Sequence, residues 1–182
     1  MKDPICCLIE KLTNAASKLT LQHLFQIVRQ SQVTLNNVQD WIKYCGQNYK
    51  RNTIIESDCF QILLICWKAG QFSPIHDHFG SRCVVKVLAG TARETTYIEA
   101  GDSVTTLTRL YRPGTVFGGE DGDIHVLGNP NSANTGLVTM HVYVPALTHM
   151  RLFDLVAGQL REVSIPTARR QVAQNVVGRF PA

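Results

Sequence analysis

His76 and His78 stand one residue apart in the stretch Gly70–Gly90, GQFSPIHDHFGSRCVVKVLAG. A strand alternates its side chains between two faces, so residues i and i+2 point the same way. Two imidazoles on one face can grip one metal ion, with Asp77 turned to the other side. Behind them the run Cys83-Val-Val-Lys-Val-Leu is β-branched and apolar, and Gly90 ends it. The stretch reads as two short strands carrying half of a metal site. The same pair also suits ordinary core or surface histidines, so a further ligand is required from elsewhere in the chain.

His125 is the candidate. It sits in the pattern Gly114-x5-Glu120-x-Gly122-x2-His125-x3-Asn129, while the first stretch reads Gly70-x5-His76-x-His78-x4-Cys83-x6-Gly90. Together these resemble the two motifs of the cupin superfamily, small antiparallel barrels that bind a metal inside. Two departures stand out. Cys83 replaces a glutamate ligand that many cupins carry, and Glu120 stands where the second motif usually has proline. The first matters more, because it leaves three neutral imidazoles and no carboxylate. A two-histidine, one-carboxylate face suits ferrous oxygenases that use an external cosubstrate. Three histidines leave the charge of a divalent ion uncompensated and favour a soft, anionic substrate ligand. A thiol on such a cation is deprotonated, so thiolate fits both needs.

The elements that must position these residues follow from periodicity. Asp3-Pro4 is a helix start, with Leu8, Ile9 and Leu12 at helical spacing behind it. Leu21, Leu24, Phe25 and Val28 predict a second helix over about 20–30. Thr34 or Asn36 is expected to begin a third, crowded by Val38, Trp41, Ile42 and Tyr44 and stopped by Gly46. His23 lies beside the second stripe and reads as a packing or surface residue. After Gly46 the period changes. Residues 59–67, CFQILLICW, form a strand apolar enough to be buried on both faces. Further strands are expected at 83–89, 91–98, 103–111, 124–128, 137–144, 151–156 and 160–165, separated by turn signals such as Pro113-Gly114 and Asn129-Pro130-Asn131. Many short, evenly spaced strands predict an all-β core, a cupin-type antiparallel β-barrel or jelly roll with the N-terminal helices packed outside. We expect one domain over 1–182: helices in 1–46, the barrel in 47–165 and a tail in 166–182 that is either a short helix or disordered.

Composition excludes several classes. The chain has 182 residues, enough for one domain with a sound core; its 45% hydrophobic and 18% charged content is that of a soluble globular protein. A net charge of +4 is too mild to argue for nucleic acid, and no nucleic-acid motif occurs. No stretch has the apolar length of a membrane helix. The N-terminal MKDPICCLIEKL does not read as a signal peptide. Six cysteines, none in a CxxC pattern, predict free thiols in a reducing cytoplasm.

Four further pieces, in order, resemble the cysteine dioxygenases, thiol oxygenases of the cupin superfamily. They are Tyr49-Lys50-Arg51-Asn52; Ile65-Cys66-Trp67 with Pro74-Ile75-His76-Asp77-His78; Ser81-Arg82-Cys83; and Thr139-Met140-His141-Val142-Tyr143-Val144-Pro145. The resemblance spans roughly residues 44–165 by motif. It implies that His76, His78 and His125 hold Fe(II), and that L-cysteine binds there through thiolate and amine. It implies that Arg51, with Tyr49, receives the substrate carboxylate, a task suited to the planar guanidinium fork. Ile65 and Trp67 are expected along the pocket. Cys83 and Tyr143 are expected to be joined by a thioether, with His141 orienting the tyrosine hydroxyl. Both atoms of O2 end on sulfur, giving cysteine sulfinic acid. The family also implies a monomer acting on a small thiol and O2.

Each residue has a plainer role too. Cys83 and Cys66 pack as small hydrophobes in many strands, Tyr143 suits a core with its hydroxyl satisfied, His141 suits a structural role and His149 the surface. Met150 stands where some family members carry another cysteine, and no role follows from it. Two rival functions remain open at this level: dioxygenation of another small thiol such as 3-mercaptopropionate, and a metal-binding cupin without turnover. Three histidines also suit zinc, nickel or copper. Within the resemblance, Arg51 and Cys83 favour cysteine over the other thiol, and Arg51, Cys83, His141 and Tyr143 together argue against a cupin without turnover.

Overall fold

The computed structural model describes residues 2–15, 19–100, 103–133, 135–154 and 159–164. The tail from Pro166 lies outside them, as does residue 165 of the last expected strand. Helix α1, Pro4–Ala15, starts where Asp3 accepts the backbone N–H groups of Ile5 and Cys6, at 2.8 and 3.2 Å. It buries Ile5, Leu8 and Leu12. Helix α2, Leu21–Gln30, is capped by Thr20 and buries Leu24 and Val28. The third expected helix is instead a 3₁₀ helix, Leu35–Trp41, which ends well before Gly46. Its sequence explains the difference. Asn36, Asn37 and Asp40 compete with helical backbone bonds, and Val38 is its one buried anchor.

Among the described residues eleven strands follow: β1 Lys50–Glu56, β2 Gln61–Trp67, β3 His76–Asp77, β4 Arg82–Ala89, β5 Ala92–Ala100, β6 Ser103–Tyr111, β7 Val116–Gly119, β8 Ile124–Gly128, β9 Leu137–Val144, β10 His149–Asp154 and β11 Gln159–Ser164. Strands β1 and β7 were not expected, whereas β3 is the short strand expected at the two neighbouring histidines. Lys50–Glu56 is mostly polar, and Val116–Gly119 ends in two glycines, so neither shows a clean period. The order in one sheet is β1-β2-β9-β4-β7, and in the other β11-β10-β3-β8-β5-β6, with every pair antiparallel. The chain crosses repeatedly between two facing sheets. This is the expected cupin-type jelly roll, an open pair of sheets rather than a closed barrel.

Strands β2 and β9 are buried along their whole length because both of their faces are covered. The outward set Ile62, Leu64, Cys66, Met140 and Val142 packs with Ile5, Leu8, Leu12, Leu24 and Val28 of the helices. The inward set Leu63, Ile65, Trp67, Cys83, Val85, Leu137 and Tyr143 forms a second core towards the other sheet. Alternation along β9 thus puts Thr139, His141 and Tyr143 inside. Gly90 turns β4 into β5 at φ +78°, and a Cβ there would lie 2.6 Å from the Gly136 carbonyl oxygen. Among the described residues no helix is long and apolar enough to cross a membrane.

Candidate metal centre and its pocket

The second sheet brings the three histidines together. His76 on β3 pairs directly with His125 on β8, and His78 follows at the end of β3. All three are buried, and their ligand atoms lie within 4.8 Å of one another. The ring centroids are 4.6 to 5.2 Å apart. Asp77, between them, points the other way. Its fully buried carboxylate accepts from Arg151 Nε of β10 at 2.7 Å and from the Phe79 backbone N–H at 3.2 Å. One short strand therefore serves two ends: odd residue to β10, even residues to the centre.

Two of the histidines are oriented by their outer nitrogens. His76 Nδ1 donates to the Pro74 carbonyl at 2.9 Å, and His125 Nδ1 donates to Glu94 Oε1 at 2.8 Å. Each ring then presents Nε2 as a lone pair. Nε2 of His125 is buried without a hydrogen-bond partner, which is costly unless something occupies it. Burial pushes His76 down to about 3; the neighbouring His125 adds to this and the Pro74 carbonyl opposes it. Burial, then His125 and His76, hold His78 well below the usual imidazole range. Such rings are neutral at pH 7, as metal ligation requires. The donor set thus fits a divalent cation.

The inward face of the first sheet supplies the opposite wall. Register places Arg51 beside Ile65, Ile65 beside Thr139, Leu63 beside His141 beside Val85, and Gln61 beside Tyr143 beside Cys83. A tight cavity of about 20 Å³ lies between the sheets, lined by Arg51, Tyr49, Trp67, the three histidines, His141, Tyr143 and Met150, among others. The Tyr49 and Trp67 rings stack with centroids 4.4 Å apart. Trp67 Nε1 donates to Thr139 Oγ1 at 2.9 Å, and Thr139 Oγ1 shares a hydrogen bond of 2.8 Å with His141 Nε2. The other nitrogen of His141 is 3.4 Å from the Tyr143 hydroxyl and 3.9 Å from Cys83 Sγ. Burial holds His141 well below the imidazole range and Tyr143 well above the phenol range, and pushes the Cys83 thiol up. All three are neutral, so the wall presents hydrogen bonds rather than charge. The exception is Arg51. Among the described residues no carboxylate pairs with it; its neighbour is Met150 Sδ, 3.7 Å from Nη1.

Tyr49, Arg51, Ile65, Trp67, His76, His78, His125, His141 and Tyr143 thus line one cavity, with Cys83 beside it. His23 is exposed, and His149 is half-buried on β10 with its Nδ1 against Thr148 Oγ1. Cys66 faces the outer core. Thr139, Met150, Ser73, Leu127 and Glu94 were missed. Thr139 was within reach, since T-M-H-V-Y alternation puts it on the face of His141 and Tyr143. Glu94 had no local signal; it reaches His125 only through the pairing of β5 with β8.

Comparison with known proteins agrees with this geometry. The profile of the cysteine dioxygenase type I family matches residues 9–156. Cysteine dioxygenase type 1 of Danio rerio is 27% identical over 140 residues, 71% of this chain and 69% of its own length. The Homo sapiens protein of the same name is 25% identical over 131 residues, 69% of this chain and 65% of its own length. The chain thus spans about two thirds of these relatives. Among solved structures, a protein of Thermus thermophilus superposes with a TM-score of 0.51 at 19% identity, over 60% of this chain and 94% of that one, which shows the fold alone. A conserved protein with a double-stranded beta-helix domain from Klebsiella pneumoniae gives a TM-score of 0.49 at 18% identity, over 64% of this chain and 94% of that one. With the profile covering most of its length, this chain belongs to the cysteine dioxygenase type I family.

Proposed function

We propose that the protein is a thiol dioxygenase that converts L-cysteine and O2 into cysteine sulfinic acid, with Fe(II) held by His76, His78 and His125. The observation that carries this is the pairing, in one cavity, of three buried imidazoles with an arginine that has no carboxylate partner among the described residues. The first suits a divalent cation; the second suits a substrate with its own carboxylate. Bound iron would supply a cation that holds the substrate sulfur as thiolate and the redox chemistry that lets O2 add to it. The balance closes without another reductant, since both oxygen atoms end on sulfur.

The chain's own residues bind and orient. Arg51 receives the substrate carboxylate through charge-assisted hydrogen bonds. Tyr49, stacked on Trp67, forms the wall beside it, and Ile65 and Trp67 exclude water. His141 is locked by Thr139 and Trp67, and it positions the Tyr143 hydroxyl towards the cavity. Cys83 lies directly across the strands from Tyr143. Their thioether would form with the loss of two hydrogens to O2 as oxidant, and would fix the ring. The shared outer core of helices and strands supports one cupin domain, and six free cysteines suit a reducing cytoplasm.

The test is product mass after incubation of the Fe(II)-loaded protein with L-cysteine or 3-mercaptopropionate in air. Sulfinate formed mainly from L-cysteine supports the reading. Preference for the amine-free thiol keeps the site and overturns the substrate. No product from either, at full iron occupancy, leaves a non-catalytic metal-binding cupin.

A further inference from the structure

We infer that Glu94 is a positioning residue for the metal: it orients His125, raises its basicity and supplies the negative charge that the three-histidine set lacks. The inference rests on the metal-site reading above. Where many cupins have a glutamate ligand this chain has Cys83, so a divalent ion would sit among neutral donors. The structure returns a carboxylate one hydrogen bond away. Glu94 Oε1 accepts from His125 Nδ1 at 2.8 Å, and both side chains are about nine-tenths buried, at 9% and 10% exposure. The second oxygen, Oε2, accepts from the Tyr111 hydroxyl at 2.9 Å. Tyr111 is held in turn by stacking on Phe117, with ring centroids 3.8 Å apart and planes within 10°.

Three strands build this arm. Thr96 of β5 pairs with His125 of β8, so Glu94, two residues earlier, shares its face. Tyr111 comes from β6, the neighbour of β5. A carboxylate on the outer nitrogen of a ligand histidine fixes the tautomer, sets the ring plane and strengthens the inner nitrogen as a donor. That inner nitrogen, His125 Nε2, is the buried atom without a partner. By contrast His76 leans on a neutral carbonyl, that of Pro74. Among the described residues Glu94 is the only carboxylate whose hydrogen bond to a member of the cluster is seen. A merely structural ion pair would stabilise the fold and leave metal affinity alone.

The experiment separates the two. Dissociation constants for Fe(II), and for Co(II) as a spectroscopic stand-in, are measured by chelator competition on the parent, Glu94→Gln and Glu94→Asp proteins, with the melting of each metal-free form. Glu94→Gln keeps the shape and removes the charge. We expect roughly 10- to 100-fold weaker metal binding, a shifted Co(II) visible spectrum, and partial recovery in Glu94→Asp. Unchanged affinity in a folded Glu94→Gln protein, whatever its melting temperature, overturns the role. Should Glu94→Gln not fold, affinity in Glu94→Asp equal to that of the parent overturns it, because the shorter carboxylate meets His125 less closely and should bind metal measurably more weakly than the parent. A parent protein that binds neither metal refutes the metal-site reading itself, a distinct result.

Discussion

At the scale of the residue, the centre is a set of groups made unusual by burial. His76, His78 and His141 are kept neutral because the interior disfavours their charged forms. Arg51 has no carboxylate partner among the described residues, and that supports its proposed role in receiving the substrate carboxylate. Arg51→Ala should raise the KM for L-cysteine by about 2–3 kcal/mol of lost binding, roughly 30- to 150-fold. Steady-state kinetics checks this, and an unchanged KM removes the carboxylate role. His125→Ala should fail to retain stoichiometric iron after desalting; full retention would remove it from the ligand set. Cys83→Ser should turn over more slowly than the parent and show intact protein mass without the two-hydrogen loss of a thioether. A parent protein with no such loss after aerobic turnover would argue that Cys83 is only a packed thiol.

At the scale of the element, alternation does most of the work. Along β9 the odd residues Thr139, His141 and Tyr143 face inward, His141 and Tyr143 lining the cavity and Thr139 hydrogen-bonded to His141, while Met140 and Val142 meet the helices. This much was legible: two apolar faces were plain in residues 59–67, a strand was expected over 137–144, and the HxH spacing placed both imidazoles together. What the sequence hid came from pairing between distant strands. Glu94 meets His125 across β5–β8, and Arg151 meets Asp77 across β10–β3, with 31 and 74 residues between partners. No local pattern encodes such contacts. The 3₁₀ helix was hidden for another reason, since its apolar spacing resembles an α-helix while its Asn and Asp side chains oppose one. Strand β10 also carries a prediction. It lays the buried Met150 against Arg51 in a cavity with little spare room. Met150→Ala should admit a thiol one methylene longer, seen as a rise of several-fold in the kcat/KM ratio of homocysteine to cysteine, since one methylene is worth about 1–3 kcal/mol in such a pocket. An unchanged ratio would show that the wall is set elsewhere.

At the scale of the whole molecule, two sheets divide the labour. The helix-covered sheet provides the wall with Arg51, His141 and Tyr143, and the facing sheet brings together His76, His78 and His125, so the cavity exists only when both are packed together. Metal and fold should therefore be coupled. In the metal-free protein the depressed histidines make stability depend on pH. Unfolding raises their proton affinity towards 6.5, so the unfolded chain binds more protons below that value. Stability is then complete above about pH 6.5 and falls as the pH drops towards the folded value of about 3 for His76. Melting of the chelator-treated protein should drop steadily from pH 7 to 5, and a flat profile would contradict the buried neutral state. The central claim is tested most directly by turnover under ¹⁸O2. With Fe(II)-loaded protein and L-cysteine, oxygen uptake should match cysteine consumed one for one, and the sulfinate should carry two labelled oxygen atoms. Product with one label or none, or no uptake at full iron occupancy, would contradict a cysteine dioxygenase reaction at the three histidines.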